Sequence, residues 1–143
     1  MLTLIRMAFA ILVIAMSGCG DGDDPRDKDA FCLRLINRGH TGEARKWLTE
    51  RKNGEVRTLG ELESADESLA LVEELYAAGA QKVMAVEIDI TNAGQNTGKL
   101  VIELHPEAKW RKRCFEIQGT IARKQGYDPT PDVGQKYLFI MLD

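Results

Sequence analysis

Two stretches of alternating polar and apolar residues in the middle of the chain constrain its fold more than any other feature. From Lys82 to Ile90 every second side chain is apolar, and the same spacing returns from Leu100 to Leu104. Such alternation predicts half-buried β-strands, because successive side chains of a strand point to opposite faces of a sheet. The polar residues 91–98 predict a hairpin connection between the two strands. The side chains expected to face the core are Met84, Val86, Ile88, Ile90, Leu100, Ile102 and Leu104.

Two amphipathic helices flank this hairpin in the sequence. Ser64 and Glu67 form a capping box, in which both side chains satisfy backbone N–H groups at the start of a helix, and Gly79 predicts its end. The second helix follows Pro106 and stops before Gly126. Each helix carries one apolar stripe, which indicates that one side packs against the sheet.

A short strand at each end of this region completes the pattern. Val56 to Leu59 precede the first helix and residues 136–142 close the chain, giving the order strand, helix, strand, strand, helix, strand. This order predicts an α+β domain over residues 55–143 with the ferredoxin-like βαββαβ fold, an antiparallel sheet with two helices on one face. Right-handed crossovers place the first and third strands at its centre. The first strand is short and adjoins Gly60, so it is the weakest element of the topology.

Residues 30–54 have the spacing of a short helical hairpin ahead of that domain. Apolar residues repeat at helical intervals on both sides of a break at residues 38–42. We expect this hairpin to pack on the domain as an accessory. If Trp47 and Leu48 cover the outer side of the last strand, its apolar stripe is core; otherwise the stripe is a surface for a second chain. That stripe is Tyr137, Phe139 and Met141.

Residues 1–18 have the pattern of an export signal. Arg6 lies in a short positive region, and the apolar core that follows is about ten residues long, too short to cross a bilayer. Small residues precede Cys19, and the run from Met16 to Cys19 resembles the lipobox of bacterial lipoprotein precursors, with Met16 where Leu is commoner. The alternative is an ordinary secretory signal in which Cys19 has no special role.

The resemblance to lipoprotein precursors implies a lipid anchor. It implies cleavage before Cys19, a diacylglyceryl thioether on its sulfur and a fatty acid such as palmitate on the new amino terminus. In bacteria with two membranes, Gly20 in place of Asp favours the periplasmic leaflet of the outer membrane over the inner membrane. Residues 19–29, which are mostly acidic and glycine, predict a flexible tether.

The charge of the chain argues against nucleic acid as a partner. The formal net charge is −3 at pH 7, and removal of Arg6 with the signal peptide makes the mature chain more negative. Binding to phosphates needs a basic surface instead.

Two cysteines remain once Cys19 is assigned to the lipid. The compartment outside the inner membrane is oxidising, so Cys32 and Cys114 predict a disulfide between the helical hairpin and the last helix. The alternative is a pair of buried, unlinked thiols, since Cys114 falls on the apolar side of its helix.

Three carboxylates form the polar cluster that most suggests a ligand-binding or catalytic role. Alternation places Glu87, Asp89 and Glu103 on the sheet face away from the helices, where they could share a cation or a proton. Lys99 and Arg57 on the same face could instead neutralise them. A solvated or covered face is the simpler interpretation.

These observations favour a non-enzymatic, membrane-tethered interaction or assembly module of the cell envelope. The expected partners are the membrane and an envelope protein, and no cofactor or metal is expected. The alternative is a module that senses a small ligand on the open sheet face. An enzyme is the least supported class, because no nucleophile, base and orienting group occur together. Residues 74–80 and 133–138 are similar to parts of small uncharacterised bacterial proteins, which implies no function.

Overall fold

The computed structural model describes residues 24–143, which form an α+β fold with four helices and two sheets. The helices are α1 (Pro25–Ile36), α2 (Ala44–Thr49), α3 (Ala65–Ala77) and α4 (Ala108–Lys124). The strands are β1 (Gly42–Glu43), β2 (Val56–Leu59), β3 (Lys82–Ala85), β4 (Asp89–Ile90), β5 (Gly94–Thr97), β6 (Lys99–Glu103) and β7 (Tyr137–Met141). The predicted signal peptide and Cys19 lie outside the described residues.

An antiparallel sheet of four strands in the order β1-β3-β6-β7 lies at the centre of the molecule. One face packs against α2, α3 and α4, which confirms the prediction of two long helices on the same face. Its side chains in that core are Val83, Ala85, Leu100, Ile102, Leu138 and Ile140. The opposite face is also covered, by α1, in a smaller apolar cluster. The sheet is therefore the middle of three layers.

Helix α1 differs from the predicted tether and from the predicted hairpin. It begins at Pro25, inside the stretch expected to be flexible, because the Asp24 side chain accepts a hydrogen bond from the Arg26 N–H and caps the helix. Its Asp29 carboxylate accepts hydrogen bonds from the backbone N–H of Lys136 and of Tyr137, each at 2.9 Å. These bonds attach α1 to the start of β7.

Helices α1 and α2 lie on opposite faces of the sheet, so they do not form a hairpin that packs as one unit. Trp47 and Leu48 of α2 are buried with α3, whereas Cys32 and Leu35 of α1 are buried on the other side. The chain passes from one face to the other through β1, which pairs with β3 at the edge of the sheet.

The ferredoxin-like topology is not confirmed, because the predicted first strand lies in a different sheet. Strand β2 pairs in parallel with β5, and β4 completes a second sheet in the order β2-β5-β4. The stretch predicted as a polar hairpin connection supplies β5. Its polar side chains bond within this sheet: Asn96 donates to the Thr58 hydroxyl and to the Gly60 carbonyl.

The chain leaves the central sheet after Ala85 and enters the second sheet at Asp89. Glu87 lies between them and has a φ of 49°, in the left-handed region that residues other than glycine rarely adopt. This bend ends the alternation predicted for Lys82 to Ile90, and the side chains facing the three-helix core are Val83 and Ala85 rather than Met84 and Val86.

We expect Gly60→Ala to destabilise the fold more than Gly54→Ala. Both glycines have positive φ, so alanine costs about 1–2 kcal/mol of backbone strain at either position. At Gly60 an added Cβ would also lie 2.7 Å from the Cβ of Leu142, whereas Gly54 has open space. The additional clash brings the loss of unfolding free energy at Gly60 to roughly 3 kcal/mol or more. Urea titrations of both variants measure it, and equal losses would contradict this packing.

Candidate interaction groove

The three carboxylates proposed as a cation site do not come together. Glu87 lies beside Lys99 at the start of β6, whereas Glu103 lies four residues further along that strand, about 13 Å away. Asp89 belongs to the second sheet, where it pairs with Asn96. Within residues 24–143, no group of three His, Cys, Asp or Glu side chains is arranged to hold a metal ion.

Glu87 instead has a structural role at the bend between the two sheets. Its carboxylate forms ion pairs with Lys99 and with Arg38. The ammonium and the guanidinium lower the pKa of the Glu87 carboxyl from its usual value, so it stays ionised near neutral pH. Arg57, the other cation that the sequence placed on this face, binds Glu55 and the Trp47 carbonyl elsewhere.

The predicted disulfide is wrong, because the two cysteines lie on opposite faces of the central sheet. Cys32 is buried under α1, and Cys114 is buried in the core between the sheet and α3. The Cys114 thiol is 3.9 Å from the Leu75 carbonyl oxygen. Burial raises the pKa of Cys32 to about 12 and also raises that of Cys114, so both remain thiols.

Two of the three residues of the apolar stripe on β7, Tyr137 and Phe139, are covered, but not by α2. Phe31 of α1 contacts Phe139 edge to face, with the ring centroids 5.3 Å apart, and Tyr137 packs against the same cluster. The sheet face on which a small ligand was expected is therefore occupied by α1.

An open groove lies between α3 and α4, on the face opposite α1. Its volume is about 660 Å³. Leu71 and Ile121 lie in it, only partly buried although they pack against the core. The larger apolar side chains that line it are Leu62, Leu71, Ile117, Ile121 and Leu142. Such a surface can bind the apolar side of another molecule.

The two walls of the groove carry opposite charges. Glu61, Glu67 and Glu74 line the α3 side, and Arg113 and Lys124 line the α4 side. The Arg113 guanidinium approaches the Glu74 carboxylate to 3.3 Å across one end. Because the C-terminal half of α3 meets the N-terminal half of α4 there, the two helices are antiparallel. The other end, between Glu61 and Lys124, has no such bridge among the described ion pairs.

The sequence contained part of the signal for this groove. The sequence predicts an apolar stripe on each helix, but it predicts that both stripes pack entirely against the sheet. The stripe of α3 continues from the buried Val72 and Leu75 to Leu71, which is wider than contact with the sheet requires. The partly exposed residues of the two stripes face the same gap because of the way α3 and α4 pack. Sequence periodicity does not specify that packing.

No protein-family model, curated protein or solved structure matches this chain. Over residues 24–143, none of the helices is both long enough and apolar enough to span a membrane.

We expect both buried thiols to resist alkylation in the native protein and to react after unfolding without any reductant. The thiolate is the reactive form, and burial keeps both groups protonated near pH 8. Peptide mass spectrometry after iodoacetamide treatment, with and without denaturant, measures this. If Cys32 and Cys114 in the unfolded protein reacted with iodoacetamide only after reduction, this would contradict the separation of the two residues.

Proposed function

We propose that this chain is a lipid-anchored, non-enzymatic interaction module of the bacterial cell envelope, and that the groove between α3 and α4 binds a partner protein. The anchor is the diacylglyceryl group on Cys19, with the periplasmic leaflet of the outer membrane as its location in bacteria with two membranes. The observation that carries the binding role is the groove itself. It keeps Leu71 and Ile121 accessible between charged walls.

The position of α1 supports a division between an anchored side and a binding side. Only five residues, Gly20 to Asp24, separate Cys19 from the first residue of α1. They span at most about 20 Å, so lipid on Cys19 would keep α1 near the bilayer surface. Helices α3 and α4 lie on the other side of the sheet. The groove can then face away from the membrane, toward a partner.

The lipid anchor predicts a specific mass for the N-terminal peptide of the protein extracted from membranes. We expect a peptide that begins at Cys19 and carries the diacylglyceryl and acyl groups. Cys19→Ala should abolish the modification and leave residues 1–18 attached, because the modified sulfur marks the cleavage site. Cys32→Ala is the matched control and should be lipidated normally. Unmodified Cys19 in a soluble, uncleaved wild-type protein would refute the anchor.

The binding role predicts a position-specific crosslink. A photoreactive residue in place of Leu71 should form one discrete adduct with another protein in intact cells, because this side chain lies in the groove. The control is the same residue in place of Val56, an exposed apolar position on β2 outside the groove. The adduct should weaken when Lys124→Glu is added. Identical adducts from both positions, or none from the groove, would count against the proposal.

A further inference from the structure

We infer that the occupant of the groove is an amphipathic helix of the partner protein, with cationic residues along its edge next to α3 and acidic residues along its edge next to α4. This inference rests on the proposed function, since it specifies what the same groove binds.

The backbone around the groove favours a helix over an extended strand. Both walls are α-helices, whose interior N–H and C=O groups bond within the helix. At the base, Leu142 donates its N–H to Gly98 and accepts a bond from the Glu61 N–H. The Thr120 hydroxyl on the rim donates to the Glu116 carbonyl. One buried acceptor on the lining, the Gln125 Oε1, has no partner and could accept a single N–H group. An extended peptide would still lose water from most of its backbone, whereas a helix satisfies its own backbone.

The dimensions of the groove match about three helical turns. From Arg113 to Lys124, α4 rises about 16 Å along the groove. The pair formed by Glu74 and Arg113 crosses one end, so the bound helix would extend toward the end at Glu61 and Lys124. Apolar residues spaced three and four apart on such a helix would contact Leu71 and then the other apolar side chains of the groove.

The charged walls specify the edges of the bound helix. Glu61 and Glu67 are exposed on one side, and Lys124 is exposed on the other. Among the described residues, Lys124 has no ion-pair partner. A helix with cations facing α3 and carboxylates facing α4 complements both walls, whereas one with the same charge on both edges is repelled by one of them.

The test uses the full chain, extracted in detergent and reconstituted in lipid nanodiscs, with empty nanodiscs as the blank. The probe is a fluorescent peptide of about 14 residues with blocked ends, a leucine stripe at helical spacing, lysines along one edge and glutamates along the other. A second peptide carries lysines on both edges. A third replaces two central polar residues of the first with proline, which breaks the helix. Fluorescence anisotropy measures the dissociation constants.

We expect the mixed-charge peptide to bind, the proline peptide to bind at least about tenfold more weakly, and the lysine peptide to bind about threefold more weakly. Leu71→Glu should weaken binding of the mixed-charge peptide about tenfold or more. Lys124→Glu should weaken binding of the mixed-charge peptide about threefold and strengthen binding of the lysine peptide. Lys112→Glu makes the same charge change on α4 outside the groove and should change neither.

Equal binding of the helical and proline peptides, or no binding by the mixed-charge peptide, would overturn the inference. So would equal effects of Lys124→Glu and Lys112→Glu. Because Lys124 is exposed, its variant remains informative if Leu71→Glu fails to fold. If a crosslink through position 71 forms in cells but the helical peptide does not bind, the interaction module stands and only the helical occupant is wrong.

Discussion

Strand β6 is buried on both faces, and this burial requires a layer of structure on each side of the central sheet. Leu100 and Ile102 point into the core under α3 and α4, and Val101 points into the cluster under α1. A sheet with water on one side would leave Val101 and its neighbours exposed, at a cost of about 25 cal/mol for each Å² of apolar surface. Helix α1 removes that cost. Its attachment through Asp29 fixes where the N-terminal part of the described chain lies, and it leaves the opposite side of the molecule to the groove.

Local signals in the sequence predicted local structure well. The side chain of Ser64 accepts from the N–H of Glu67, as the capping box requires, and the helix continues to Ala77. Strands β3, β6 and β7 lie where alternation indicated. Pairing was predicted less well, because it depends on non-local contacts. Val56–Leu59 is a strand as expected, but its partner is the polar segment Gly94–Thr97, which has no hydrophobic pattern. Alternation predicts the wrong inward face for β3, because both faces of this strand are buried and alternation then no longer distinguishes the core side.

The candidate site was harder to predict than the fold, because it depends even more on non-local contacts. Glu87, Asp89 and Glu103 are separated by even numbers of residues, so a hairpin centred on residues 91–98 would have made them neighbours on one face. The observed register instead pairs Glu103 with Lys82, at the far end of β3 from Glu87. The positive φ of Glu87 also ends the alternation and directs Asp89 into the second sheet. The thiols of Cys32 and Cys114 are separated by the thickness of a sheet whose second face the sequence left open. In contrast, the groove arises from two stripes that were both visible in the sequence. Only the antiparallel packing of α3 against α4 brings Leu71 and Ile121 to a common gap.

The bonds from Asp29 to Lys136 and Tyr137 have a mechanical consequence. With a lipid on Cys19, a pull on the domain would enter the fold at the amino end of α1. The carboxylate of Asp29 would pass that load within about one helical turn to the backbone of β7, which pairs along its length with β6. Tension along the tether would then act on the middle layer of the molecule before it could unwind α1. A partner that pulled on the domain would therefore load the hydrogen bonds between Asp29 and β7 before the rest of α1.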